Sequence, residues 1–121
     1  MGIEKRKAPR IPVYMKVINE STEFDFGFSY ARDVSEGGLA LDTKVLLGSK
    51  FDLAKGNVLK LKFKVPGGKL YVTALGEVVR IERDDDGNCI IGVKFVSLEN
   101  DFKEEIRNFV EEVKKGDLSL E

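Results

Sequence analysis

Histidine is absent from this sequence. With it go the commonest general base at neutral pH and the commonest zinc-binding nitrogen. No imidazole is present to activate Ser35. The many carboxylates form no recognisable acid–base pair. No catalytic set assembles, so a binding module is expected rather than an enzyme, with no metal and no cofactor. A single cysteine, Cys89, excludes a disulfide within the chain and fits a reducing compartment, so a cytoplasmic location is expected. Cys89 lies in an apolar run and reads as a small buried hydrophobe. A charge surplus is also missing: 20 Lys and Arg face 21 Asp and Glu. Without a global basic field, nucleic acid is not an expected partner. No apolar run approaches membrane-spanning length, and the charged N-terminus lacks the apolar core of a signal peptide, so membrane insertion is not expected.

What the chain does carry is alternation. Its length suits one domain with a modest core. Val13 to Glu20 is a candidate strand, as is Glu23 to Ser35, with apolar side chains at even positions from Phe24 to Tyr30. Leu39 to Thr43 follows. In Val58 to Val65, Leu59, Leu61, Phe63 and Val65 face one way and Lys60, Lys62 and Lys64 the other. That lysine stripe reads best as a solvated face that discourages edge pairing. Lys69 to Arg83 is a long strand in which Gly76 predicts a bend or bulge. Strict alternation there puts Val79 and Ile81 on one face and Arg80 on the other. Asp84 to Asn88 reads as a hairpin loop, and Cys89 to Val96 as the last strand. Residues 44–56 read as a covering loop with a short strand or turn.

The period then changes. Phe102, Ile106, Phe109, Val110 and Val113 recur at helical spacing, which predicts a helix over 99–115. Ser97 or Asn100 suits its cap and Gly116 its end. Its apolar stripe must be buried, on the barrel or on a partner. The whole reads as mainly β: a small six-stranded antiparallel β-barrel over 13–98, a basic N-terminal arm over 1–12 and a C-terminal α-helix.

Two apparent sites fail on register. Asp84 as the first position of a calcium loop puts Cys89 where glycine is needed and Phe95 where the bidentate glutamate belongs. Gly67-Gly68-Lys69 as a phosphate loop is followed by Leu70 instead of Ser or Thr. The motifs that remain are Arg6-Lys7-Ala8-Pro9-Arg10 in the arm and Asp33-Val34-Ser35-Glu36-Gly37-Gly38 between two strands. Arginines fork onto phosphates or guanine O6/N7, Asp and Ser reach base edges, and glycines allow close backbone approach.

This pair resembles the PilZ domain, a bacterial receptor module for cyclic di-GMP whose pattern is R-x-x-x-R followed, after roughly one hairpin, by D/N-x-S-x-x-G. Gly76-Glu77-Val78-Val79-Arg80 and Ile91-Gly92-Val93-Lys94-Phe95 extend the resemblance over most of the chain. The resemblance implies the same barrel. It implies that Arg6 and Arg10 hold phosphates or the guanine O6/N7 edge. Asp33 and Ser35 reach guanine, and Gly37 and Gly38 keep the turn close to it. Lys5, just before the first motif arginine, implies two stacked ligands. Arg80 stands where many members carry a large side chain near the ligand, and its guanidinium plane suits stacking on guanine; the alternative is an exposed arginine paired with Glu77 or Glu82. Ligand would order the arm and be sensed by an effector protein that the sequence does not identify. The alternative is an interaction barrel that binds no nucleotide, as some members do in pilus assembly, but those lack the arginine motif.

Overall fold

The computed structural model describes residues 10–21, 29–44, 53–83, 86 and 88–116. The alternating runs become six strands: β1 (Ile11–Asn19), β2 (Ser29–Val34), β3 (Gly38–Lys44), β4 (Val58–Phe63), β5 (Val72–Arg83) and β6 (Asn88–Leu98). One helix follows, α1 (Asn100–Lys114). The strands pair antiparallel in the order β1-β2-β3-β6-β5-β4 and close into a barrel. Closure is made by Val17, Ile18 and Asn19 of β1 against Phe63, Lys62 and Leu61 of β4.

The inward positions follow the period-2 pattern that the sequence carries. Leu39 and Leu41 of β3, Leu59, Leu61 and Phe63 of β4, Val72 and Val78 of β5 and Ile91 and Val93 of β6 are all fully buried. Cys89 joins them in the core as a free thiol. The helix stripe closes one side of this core: Ile106, Phe109 and Val110 are buried, and Phe102 and Val113 pack against them. The barrel itself, not a partner, therefore covers the stripe.

Several boundaries differ from those expected. β1 starts at Ile11, which is buried, so Ile11 and Pro12 belong to the barrel wall. β5 starts at Val72 instead of Lys69, because the amides of Lys69 and Leu70 donate to Glu105 Oε1 of α1, at 2.8 and 3.0 Å, and not to a neighbouring strand. The helix is preceded by Glu99, which makes no side-chain cap bond, so neither Ser97 nor Asn100 caps it. Its end is as expected: Gly116 takes a φ of +77° and donates to the Val113 carbonyl. The expected strand segment at 22–28, most of the loop at 44–56, and Asp84, Asp85 and Gly87 of the acidic hairpin lie outside the described residues.

Two strands show which side chains turn inward. Tyr30 lies outside the barrel and Ser29 and Ala31 inside, although Tyr30 ends the apolar even-numbered run. In β5 the register against β6 shifts between Val78 and Arg80. This bulge makes Val79 an extra residue, 45% exposed, while Ile81 packs on the core. Strict alternation therefore fails at Val79, although Arg80 does face outward. A second shift falls at Leu75/Gly76, where the lone glycine predicted it. A Cβ at Gly76 would sit 2.2 Å from Val93 Cγ1, so this position makes room for Val93.

Candidate functional site

The turn between β2 and β3 is built by its own serine. Ser35 N donates to the Gly38 carbonyl at 2.8 Å. Ser35 Oγ accepts from Gly37 N at 3.1 Å and donates to the Gly38 carbonyl at 3.4 Å. Ser35 is buried. In this geometry its hydroxyl is spent on the turn backbone, which makes Ser35 a shaping residue for its neighbours. The two glycines differ in kind. A Cβ at Gly38 would lie 2.1 Å from the Val93 carbonyl oxygen, so glycine is demanded by the approach of β3 to β6. A Cβ at Gly37 would meet only Ser35 Oγ, at 3.9 Å. Gly37 instead offers its carbonyl to Phe95 N at 2.9 Å.

At the entrance to this turn Arg10 Nη1 reaches Asp33 Oδ1 at 2.8 Å, with the two side chains 32% and 27% exposed. The structure thus joins the two sequence motifs directly, across a separation of 23 residues in the chain. The register explains how. Pro12 pairs with Asp33, Asp33 with Ala40, Ala40 with Gly92 and Gly92 with Arg80. One transverse row therefore runs over β1, β2, β3, β6 and β5. Ala40 alternates with the inward Leu39 and Leu41 and so lies on the outer side, as does Arg80. Between Asp33 and Arg80 the row holds only Ala40 and Gly92, a low floor of small residues that is itself buried. Three strand spacings separate its ends, roughly 14 Å.

Arg80 lies half exposed over this floor. A Cβ at Gly92 would come 3.2 Å from Arg80 Cβ and 3.5 Å from its Nε. Arg80 Nε also contacts Glu82 at 3.2 Å. Lys5 and Arg6 lie outside the described residues. Two residues are added that the motif reading passed over. Arg32 is exposed at the bulge beside Asp33, signalled only by its adjacency. Glu36 accepts from Arg107 Nε of α1 at 3.2 Å, and no local pattern foretells a contact across 71 residues. Outside this region, burial pushes the Cys89 thiol up from its ordinary value, with Arg83 pulling the other way. Among the described residues no group of His, Cys, Asp and Glu could hold a metal ion. No helix among them is long and apolar enough to cross a membrane.

The PilZ domain matches residues 4–112 of the chain. The fold resembles that of the Bacillus subtilis inhibitor of motility MotI/DgrA, with a TM-score of 0.75 and 16% identity over 97% of this chain and 55% of that one. It also resembles the PilZ domain of Escherichia coli YcgR with c-di-GMP, with a TM-score of 0.69 and 10% identity over 93% and 94% of the two chains. Against the crystal structure of YcgR in complex with c-di-GMP the TM-score is 0.70 at 10% identity, over 94% of this chain and 48% of that one. The chain thus spans about half the length of MotI/DgrA and of the longer YcgR chain. No curated protein matches it. A match over nearly the whole chain, on a closed six-stranded barrel with one C-terminal helix, places this protein in the PilZ domain family.

Proposed function

We propose that this protein is a cyclic di-GMP receptor that takes its ligand on the outer face of the barrel and passes the signal to a partner protein through the N-terminal arm. The observation that carries this reading is the Arg10–Asp33 bridge at the mouth of the Ser35–Gly38 turn. It brings a phosphate-binding fork and a guanine-edge acceptor to one point. Arg10 has five N–H donors and Asp33 accepts only, so the pair can open to a ligand that supplies phosphate to one and N1–H and N2–H to the other. Only the small residues Ala40 and Gly92, both buried, lie between Asp33 and Arg80, so a flat base would meet no bulky side chain of the row once Arg80 swings off Gly92. Arg6 and Lys5, upstream of Arg10, add cationic charge for the second phosphate or a second ligand. Ser35, Gly37 and Gly38 hold the turn in shape. That YcgR is known with c-di-GMP supports the choice of ligand.

Calorimetric titration tests the reading. Cyclic di-GMP should bind to the wild-type protein, with a stoichiometry nearer two than one if Lys5 acts as proposed. Arg10→Ala and Asp33→Ala should each weaken binding about tenfold to a hundredfold, since charge-assisted contacts are worth ~1.5–3 kcal/mol each. Linear pGpG and GMP should bind far less well, because the closed ring presets the geometry. Failure of wild-type protein to bind would leave the interaction barrel without nucleotide as the better account.

A further inference from the structure

The lysine stripe of β4 needs a new explanation once the barrel is closed. Its simplest reading from sequence is protection of a sheet edge, but β4 is paired with β5 along its length and with β1 at Leu61–Phe63. Around the stripe the fold gathers side chains that sequence distance keeps apart. Tyr14 of β1 is 80% exposed and stacks flat on Tyr30 of β2, with ring centroids 4.7 Å apart and planes at 4°. Tyr71, just before β5, is 55% exposed. Lys62 Nζ and Lys64 Nζ both stand over its ring, at 5.2 and 5.8 Å from the centroid. Ile18 is exposed opposite Lys62. Tyr14, Lys16, Ile18, Lys62, Lys64 and Tyr71 line an open groove of about 250 Å³. Among the described residues no carboxylate lines it and none pairs with Lys16, Lys62 or Lys64.

We propose that this face docks an acidic segment of a partner protein. Two ammonium groups over one ring repel each other, and an anion between them removes that cost. Ile18 and the outer face of Tyr14 offer contiguous apolar surface of the kind that marks interaction sites. The occupant therefore carries carboxylates for Lys16, Lys62 and Lys64 and an apolar or aromatic side chain to lie against Tyr14 and Ile18. A nucleic acid fits less well. Its bases need successive open ring faces, whereas Tyr14 spends one face on Tyr30 and Tyr71 carries two lysines. The formal net charge of −1 gives no long-range attraction for a polyphosphate.

The face needs no nucleotide and uses neither Arg10 nor Asp33, so a failed nucleotide titration leaves it untouched. The test uses a random copolymer of glutamate and tyrosine as probe, titrated by fluorescence anisotropy into the whole nucleotide-free protein. The comparators are single-stranded oligothymidylate and vesicles of phosphatidylcholine with phosphatidylserine. The copolymer should bind. The double variant Lys62→Ala/Lys64→Ala, altered only at surface positions, should lose about tenfold or more, and Arg10→Ala should bind as wild type. Amide shifts should cluster at Tyr14, Ile18, Lys62, Lys64 and Tyr71. Absence of copolymer binding, or equal binding by the double variant, would overturn the proposal. So would tighter binding of the oligonucleotide or the vesicles through the same lysines. Dimers that dissociate on the same substitutions would also overturn it, since the occupant would then be a second copy of the chain.

Discussion

Replacing Gly38 by alanine should cost far more than replacing Gly37, although the two are adjacent in the same motif. The Cβ added by Gly38→Ala would stand 2.1 Å from the Val93 carbonyl oxygen, where ordinary contact begins at 3.4 Å. The strands must therefore separate locally by about 1.3 Å, the difference of those two distances. Opening weakens the pairing of Gly38 with Lys94 and Leu39 with Val93, and the bond from Phe95 N to the Gly37 carbonyl. Each such bond is worth ~0.5–1.5 kcal/mol net, so a loss of about 2–4 kcal/mol follows. At a urea slope of about 2 kcal/mol/M this lowers the midpoint by about 1–2 M. The Cβ added by Gly37→Ala meets only Ser35 Oγ at 3.9 Å, and the position needs no left-handed backbone. That substitution should be neutral or stabilise by up to ~1 kcal/mol through the unfolded chain.

A second glycine separates backbone from side-chain obstruction. Gly76→Ala would bring its Cβ against Val93 Cγ1, at 2.2 Å, which is side chain. Val93→Ala removes that atom, so Gly76→Ala/Val93→Ala should be more stable than the sum of its parts. The same substitution leaves the Val93 carbonyl in place, so Gly38→Ala/Val93→Ala should be no better than additive. Urea denaturation of the set measures both couplings. A Gly38→Ala protein as stable as wild type, or its rescue by Val93→Ala, would refute the account of strand approach.

Glu105→Ala strips the amides of Lys69 and Leu70 of their shared acceptor. It should cost ~1–2 kcal/mol, with hydrogen exchange at those two amides rising first. Cys89 should resist thiol reagents in the folded protein, because it is buried and its thiol is pushed up. The sign of the linkage follows: above the ordinary thiol value of 9.0 the unfolded chain loses a proton that the folded chain keeps, so stability falls as pH rises through that range toward the folded value. Cys89→Ala should show less alkaline loss, read as urea midpoints on both sides of the ordinary thiol value. If Arg80 stacks on a base, Arg80→Ala and Arg80→Lys should both weaken cyclic di-GMP binding in calorimetry. Full affinity in the lysine variant would make Arg80 a charge alone.

The fold was legible because alternation and its change to helical spacing are local signals. The run Leu59, Leu61, Phe63 places β4, and Ile106, Phe109 and Val110 place α1, without knowledge of neighbours. Alternation names two faces, however, and does not say which turns inward. At Tyr30 the larger residue went outside, because Ser29 and Ala31 fill the inner positions. Bulges were legible only where glycine marks them: Gly76 did, whereas Val79 carries no such mark. Of the candidate site, the motif residues were visible but their contacts within the fold were not. Ser35 bonds its own turn, and Gly38 answers to Val93 of another strand. The floor of Ala40 and Gly92 depends on register across four strand pairs, which no single segment encodes.

The tethers of the turn indicate where a ligand would act. Ser35 ties the turn to itself, Gly37 ties it to β6 through Phe95, and Glu36 ties it to α1 through Arg107. Those bonds lead into the barrel and its helix, whose packed side chains resist small displacements. The fourth tether, Asp33 to Arg10, leads to the start of β1, where the arm joins. A partly exposed ion pair of this kind is worth ~1 kcal/mol or less, below what a doubly charged ligand gains from one charge-assisted contact. A ligand that competes for both Arg10 and Asp33 would therefore open this tether. Under the proposed function, the barrel would serve as the fixed part and the arm as the part that reports.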